Sequence, residues 1–471
     1  ELVPVGCVEV LAGDTFQHRT SALIRFSPQI APVMHPISVR VHHWFVPNRL
    51  LWTGWEDFIT GGPDGTGTTE PYPTIPGLAV TEGSLADYFG IPTQVGLSEV
   101  CALPFRAYNM IWNEYYRDQD LQTEVADLDD FTLKRVCWEK DYFASARPWT
   151  QKGPDVSVPL GGTAPISGIG VRGAAIGIGT QMNETDGDQL VYASGWQSDG
   201  TASSSFVQEN PSNVGFPNIY ADLSQASAAS INDFRRAFAL QRYQEARARY
   251  GSRYTEYLAY LGIRASDQRL QRPEYCGGGR GTVAFSEVLQ TADRSDTPGT
   301  NHSYLGDLGG HGISALRTRP YRRFFEEHGW VLSLMSVRPR AMYMDGQHRK
   351  WNRRAKEDYY QKELEAIGQQ AILDREVYQE DATGATWGYA DRYRDYREEP
   401  SHVSGDFRST LNYWHLARDF STSPALNAAF VECNPSKRIF AEQTQDALWC
   451  MVNHSLQARR MVNRTAAARI M

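Results

Sequence analysis

No apolar run in this chain approaches the ~18 residues needed to span a bilayer. Its first residues show no charged segment followed by an apolar one, so neither a membrane helix nor a secretory leader is expected. The six cysteines, Cys7, Cys101, Cys137, Cys276, Cys433 and Cys450, include no C-x-x-C pair. Spread over the whole length, they suggest neither a zinc ribbon nor a disulfide framework, and reduced, mostly buried thiols are expected. Positive charge is scarce, with a net charge of −8. A surface that coats nucleic acid throughout would be basic, so any such contact has to be local.

The sequence is equally short of catalytic signatures. It contains no H-E-x-x-H, no C2H2 spacing and no G-x-S-x-G elbow, which removes the usual zinc and serine chemistries. His42 and His43 are adjacent and would face opposite sides of a strand, so they are poorly placed to share a metal. Gly168-Ile-Gly170-Val-Arg-Gly173 fits G-x-G-x-x-G, but prolines precede it and the AAIGIGTQ that follows is too glycine-rich for the required helix. Gly277–Gly281, GGGRG, lacks the Lys-Ser/Thr of a P-loop and reads as a turn. Glu326-Glu327-His328 and the scattered carboxylates read as solvated surface charge. No catalytic residue, metal or cofactor is therefore expected.

What the chain does contain is aromatic bulk, with 12 Trp and 24 Tyr, and many turn formers, with 40 Gly and 24 Pro. Thr15–Phe26, TFQHRTSALIRF, alternates with period two, placing Phe16, His18, Thr20, Ala22, Ile24 and Phe26 on one face. Ile37–Val46 alternates similarly, and Val331–Val337 reads as a buried strand. Phe105, Tyr108, Trp112 and Tyr115 recur at helical spacing behind Pro104. Further helices are expected over about Ile231–Tyr250, Tyr254–Leu261 and Asn352–Leu373. Gly161–Pro217 is rich in Gly, Ser, Ala and Thr, has no Lys and holds a single Arg, Arg172; it reads as a long surface excursion. The pattern is one all-β domain with inserted helices.

Two basic stretches stand out. Arg317–Arg354 carries ten cations against Glu326, Glu327 and Asp345, and beyond Asp446 there is no acid at all. Arg349, Lys350, Arg353 and Arg354 in the first, and Arg459, Arg460, Arg464 and Arg469 in the tail of residues 447–471, are the candidate nucleic-acid contacts. Such clusters neutralise phosphates without reading sequence; the bland reading is inter-subunit salt bridges or a solvated face.

Leu103–Gln122, LPFRAYNMIWNEYYRDQDLQ, and Ser266–Gly279, SDQRLQRPEYCGGG, resemble signature segments of the major capsid protein of microviruses, especially the gokushovirus-like single-stranded DNA phages. Val8–Trp52, Asp141–Gly153, Ile231–Ile263, Glu326–Tyr343, Ile367–Tyr378, Trp387–Ser409 and Trp414–Val431 are similar in the same order along the chain. The resemblance implies an eight-stranded antiparallel jelly roll with long loop insertions over residues 1–471. It implies a T=1 icosahedral shell of sixty copies around a circular single-stranded DNA genome, assembled in the host bacterial cytoplasm. An internal scaffolding protein, a minor pilot protein and a small basic DNA-binding protein would be partners, with no membrane. Residues 161–217 would be an exposed protrusion, for which a role at a host-cell receptor stays open. The competing reading is a carbohydrate-active or carbohydrate-binding β-sandwich.

Overall fold

In the computed structural model, the described residues are 1–62, 70–76, 80–93, 99–154, 156, 166–167, 220–221, 231–250, 253–291, 305–379 and 384–462. The chain clusters into two compact units, Glu1–Lys152 with Glu245–Met471, and Gly153–Gln244. The second shows a two-residue ladder, Ile166–Ser167 against Tyr220–Ala221, and most of the helix Ile231–Tyr250. Apart from Ile166–Ser167, the excursion at 161–217 lies outside the described residues.

The first unit is built on two facing antiparallel sheets. Its strands are β1 (Val3–Val10), β2 (Thr15–Phe26), β3 (Ile37–Pro47), β4 (Glu274–Thr282), β5 (Ala284–Leu289), β6 (Leu308–Arg317), β7 (Tyr321–Phe324) and β8 (Gly329–Pro339). A hairpin of β9 (Gln369–Leu373) and β10 (Thr386–Asp391) follows, and then β11 (Leu448–Arg459). One sheet has the order β1-β8-β3-β4. In the other, β2 is paired along its whole length with β11, while β6 and β7 take successive stretches of its opposite edge and β5 flanks β6.

The alternation read in Thr15–Phe26 is realised: Phe16, His18, Thr20, Ala22, Ile24 and Phe26 are buried. That period survives because one face of β2 meets the other sheet and its opposite face meets none. β3 is buried on both faces, which erases the alternation in its burial. Val39 and Val41 pack with Ile24 and Phe26 of the facing sheet, while Trp44 and Val46 pack against helix α1 (Leu103–Tyr115). Pro104 sits in the first turn of α1, where its missing N–H is not needed. Phe105, Tyr108, Ile111 and Trp112 are buried, and each such side chain contributes roughly 1.5–3 kcal/mol by leaving water. The buried Tyr108 hydroxyl donates to the Leu2 carbonyl at 2.8 Å and accepts from the Lys134 amide at 2.9 Å. A satellite core under the β9–β10 hairpin joins Tyr142, Phe143, Tyr343, Ile372, Trp387 and Phe430.

Helices α2 (Ile231–Tyr250) and α3 (Tyr254–Tyr260) form where expected. Two other readings are corrected. Residues 352–373 form no helix: they wind through short 3-10 turns at Lys356–Asp358 and Lys362–Ile367 and then enter β9. The Asp358 carboxylate accepts the amides of Arg354 and Ala355 at 2.7 and 2.8 Å, a local bond that competes with helix. Gly368 then turns at φ 79, and Ile372 gains burial only in the strand.

The GGGRG run is also no turn but the middle of β4, paired with β3. A Cβ at Gly278 would stand 2.4 Å from the Val41 carbonyl oxygen. Gly278→Ala should therefore cost about 1–3 kcal/mol, read as a lowered denaturation midpoint; unchanged stability would mean that the contact relaxes freely.

Candidate nucleic-acid interface

The residues singled out by charge alone divide sharply. Arg349 is mostly buried, donating to the Ala371 carbonyl at 2.6 Å and to Glu376 at 3.1 Å. Burial raises the Glu376 carboxyl above its ordinary range, against the pull of Arg349. Arg353 pairs with the buried Asp395, and its guanidinium lies 4.1 Å from the Tyr396 ring centroid. Both arginines thus serve the fold around the satellite core. Lys350 and Arg354 are exposed: the first pairs with Glu399 at 2.5 Å, the second reaches only the carbonyls of Trp351 and Arg353 at 3.2 Å.

In the tail, Arg460 is turned inward onto Asp14 at 3.2 Å and the Glu9 carbonyl at 2.6 Å. Arg459 ends β11 exposed, with no ion pair among the described residues. Arg464 and Arg469 lie outside the described residues.

The register reveals a larger array around Arg459. Residues directly opposed across an antiparallel ladder share a face. On β2, Arg19, Ser21, Leu23 and Arg25 oppose Ser455, Asn453, Met451 and Trp449 of β11. On the other edge Ser21 opposes Arg317 of β6, and Gln17 opposes Arg322 of β7. The outer face of this sheet, which is exposed among the described residues, therefore carries Arg19, Arg25, Arg317, Arg322 and Arg459 together, with an exposed Arg319 between β6 and β7. Trp449, Met451 and Phe324 are more than half exposed among them.

Strands β2, β6, β7 and β11 contain no Asp or Glu. The single acid on β5, Glu287, opposes Gly310 and so points to the opposite face from Ala284 and Ile313. Six residues along β2 from Arg19 to Arg25 span about 20 Å at ~3.3 Å each. Guanidinium groups interleaved with an exposed indole and phenyl are the chemistry that holds phosphates and stacks bases without reading sequence.

The remaining polar features offer no catalytic pair. A cleft lined by Trp44, Tyr115, Tyr275 and Arg338 holds Asp118, Asp120 and Glu139. These three are taken by cations, Asp118 by Lys140 and Arg147, Asp120 by Arg147 and Lys152, Glu139 by Arg40, and the fourth carboxylate of the cleft, Glu256, accepts the Arg253 amide at 3.1 Å. His42 and His43 do face opposite sides, toward the Tyr116 hydroxyl and the Ser333 hydroxyl, each at 2.8 Å. Among the described residues no cluster of His, Cys, Asp or Glu is arranged to hold a metal. All six cysteines are free thiols.

Comparison with known proteins agrees with the structural character of the site. Residues 1–468 match the family described as Capsid protein (F protein). The chain is 36% identical over 462 residues to capsid protein VP1 of Bdellovibrio phage phiMH2K, covering 92% of this chain and 85% of that protein. It is 33% identical over 536 residues to capsid protein VP1 of Chlamydia phage 1, covering 95% and 89%. It is 30% identical over 474 residues to capsid protein VP1 of Spiroplasma virus 4, covering 92% and 84%.

Proposed function

This chain belongs to the phage capsid protein (F protein) family, and from that premise we propose that sixty copies close into a T=1 shell whose inner wall is the arginine-bearing face of the β2 sheet. Its role is structural rather than enzymatic, and its place is the virion. A single-stranded DNA genome is the partner of that wall. The observation that carries the reading is a chain of net charge −8 that gathers arginines on one exposed sheet face whose strands β2, β6, β7 and β11 have no acid. A wall basic on one side and acidic overall holds a polyanion inside without attracting one outside.

A jelly roll fits the strand connections. β1, β2 and β3 alternate between the two sheets, and β8 returns to lie between β1 and β3. Counting β6 and β7 as one interrupted strand gives four strands in each sheet, the double-sheet plan used by capsid subunits. The scaffolding, pilot and small basic DNA-binding proteins are partners in this reading, and residues 161–217 are its outward protrusion. Deleting 161–217 should leave closed particles that adsorb poorly to host cells; normal adsorption would remove the receptor role.

Electron microscopy of the purified protein, with sedimentation, tests the main proposal. Uniform closed icosahedral particles are expected. A homogeneous monomer, even with partner proteins and genome supplied, would overturn it.

A further inference from the structure

Between the two sheets lies a cluster of three imidazoles. His18 comes from β2, His43 from β3 and His454 from β11. His18 and His43 are fully buried, with ring centroids 4.6 Å apart, and the His18 and His454 rings are 5.2 Å apart. His454 reaches across the sandwich: its Nε2 lies 2.8 Å from the Val5 carbonyl on β1, in the opposite sheet. The backbone there is Gly6, where a Cβ would stand 2.8 Å from that same Nε2, so the glycine makes room for the ring.

A carbonyl only accepts, so His454 Nε2 carries a proton and, in the neutral ring, Nδ1 is bare. The single lone pair of that Nδ1 is shared by Thr20 Oγ1 at 2.9 Å and, in the His18 tautomer protonated at Nε2, by that nitrogen at 3.1 Å. With its Nε2 proton so used, His18 offers Nδ1 to the Tyr321 hydroxyl at 3.1 Å. In that tautomer a directed chain runs from Tyr321 through His18 and His454 to Val5. His43 bonds Ser333 through Nδ1, and its buried Nε2 has no partner among the described residues.

Among the described residues no carboxylate bonds any of the three rings. The groups facing the cluster are Thr20 on β2, His42 behind His43 on β3, Cys276 on β4, Tyr321 on β7 and Ser333 on β8. Arg323 is paired with Glu274 and also reaches the Cys276 thiol, and Arg460 is paired with Asp14. An added proton would be a buried, unpaired charge, and a second would face the first across less than 6 Å.

We propose that this cluster is an acid-sensitive latch, holding β11 across the sandwich while His18 and His43 are neutral and releasing it when they take up protons. β11 is the element that gives way, because among the described residues it pairs with β2 alone and its outer face is exposed. Burial, helped by His454, holds His18 down at about 4, and burial with the neighbouring histidines holds His43 at about 3. Released imidazoles return toward about 6.5. The open state then binds more protons, so the latch is at full strength above that pH and weakens as pH falls from about 6.5 toward 4.

Hydrogen exchange on the intact chain, corrected for the intrinsic pH dependence of exchange, reads the latch directly. Protection of residues 448–459 should fall at least about tenfold between pH 7 and pH 4.5 while β8 stays protected. His18→Gln, which removes an imidazole that burial holds at about 4, should flatten that response, and His402→Gln at an exposed position should leave it unchanged. Protection that is independent of pH, or a fall that persists undiminished in His18→Gln, would overturn the proposal. Should that variant not fold, exchange of the imidazole C2 hydrogens in the unaltered chain decides: titration of His18 and His43 below about pH 5 supports the latch, and titration near 6.5 removes it. None of these readouts depends on shell assembly, so the latch and the capsid reading fail separately.

Discussion

Arg25→Glu, Arg317→Glu and Arg322→Glu, combined in one chain, should yield particles that close but hold little DNA. The three side chains are exposed and stand on one face by register, and no ion pair among the described residues uses them. Folding should be nearly indifferent, since exposed substitutions of this kind usually stay within about 0.5 kcal/mol. Binding should not be. Each neutralised phosphate of a single strand contributes about 0.7 to the logarithmic salt slope, so three lost contacts remove about 2 from it. Adding three negative charges repels the strand as well, and a loss of about a hundredfold or more at low salt is expected. The ratio of ultraviolet absorbance at 260 and 280 nm in purified particles, with salt titrations of subunit binding to single-stranded DNA, measures both quantities. Particles with normal DNA content and an unaltered slope would show that this face does not meet the genome.

Arg353→Ala should do the reverse, damaging the fold without touching the DNA slope. Arg353 and Asp395 are both largely buried, and Asp395 Oδ1 already has no hydrogen-bond partner among the described residues. Removing the guanidinium strands a buried carboxylate and empties the space against Tyr396, which should cost about 3–5 kcal/mol. The double change Arg353→Met, Asp395→Leu should recover most of that, because it removes the charge together with its partner. Denaturation midpoints for the single and double variants test the pair. A stable Arg353→Ala subunit that loses DNA affinity would restore the arginine to the genome interface.

These two predictions mark where sequence reading ends. Local periodicity is written in adjacent residues, so β2, α1, α2 and the core strand β8 were legible. The arginine face was not, because Arg19 and Arg459 are brought together only by strand pairing, and nothing near either residue encodes the partner. Charge density pointed instead to residues 349–354, where Arg349 and Arg353 are consumed by Glu376 and Asp395, carboxylates distant enough in sequence to go uncounted. The glycines of β4 misled for a related reason: they suit a turn, yet here they admit the close approach of β3 and the Thr318 backbone. The helix expected at 352–373 failed because its apolar spacing had no core to face, with Tyr359, Tyr360 and Ile367 all half exposed.

The pairing of β2 with β11 also sets a clock. Residues 15–26 leave the ribosome early, but the strand that covers their whole edge is residues 448–459. At roughly 5–20 residues per second, β2 waits about 20–90 s for that partner to be made. During that interval a long, alternating edge is open to pairing with other chains, a hazard that favours chaperone custody of the nascent subunit. A chain broken off before residue 448 keeps that edge bare and lacks Arg459 and the His454 crossing, so translation itself screens which subunits reach a shell.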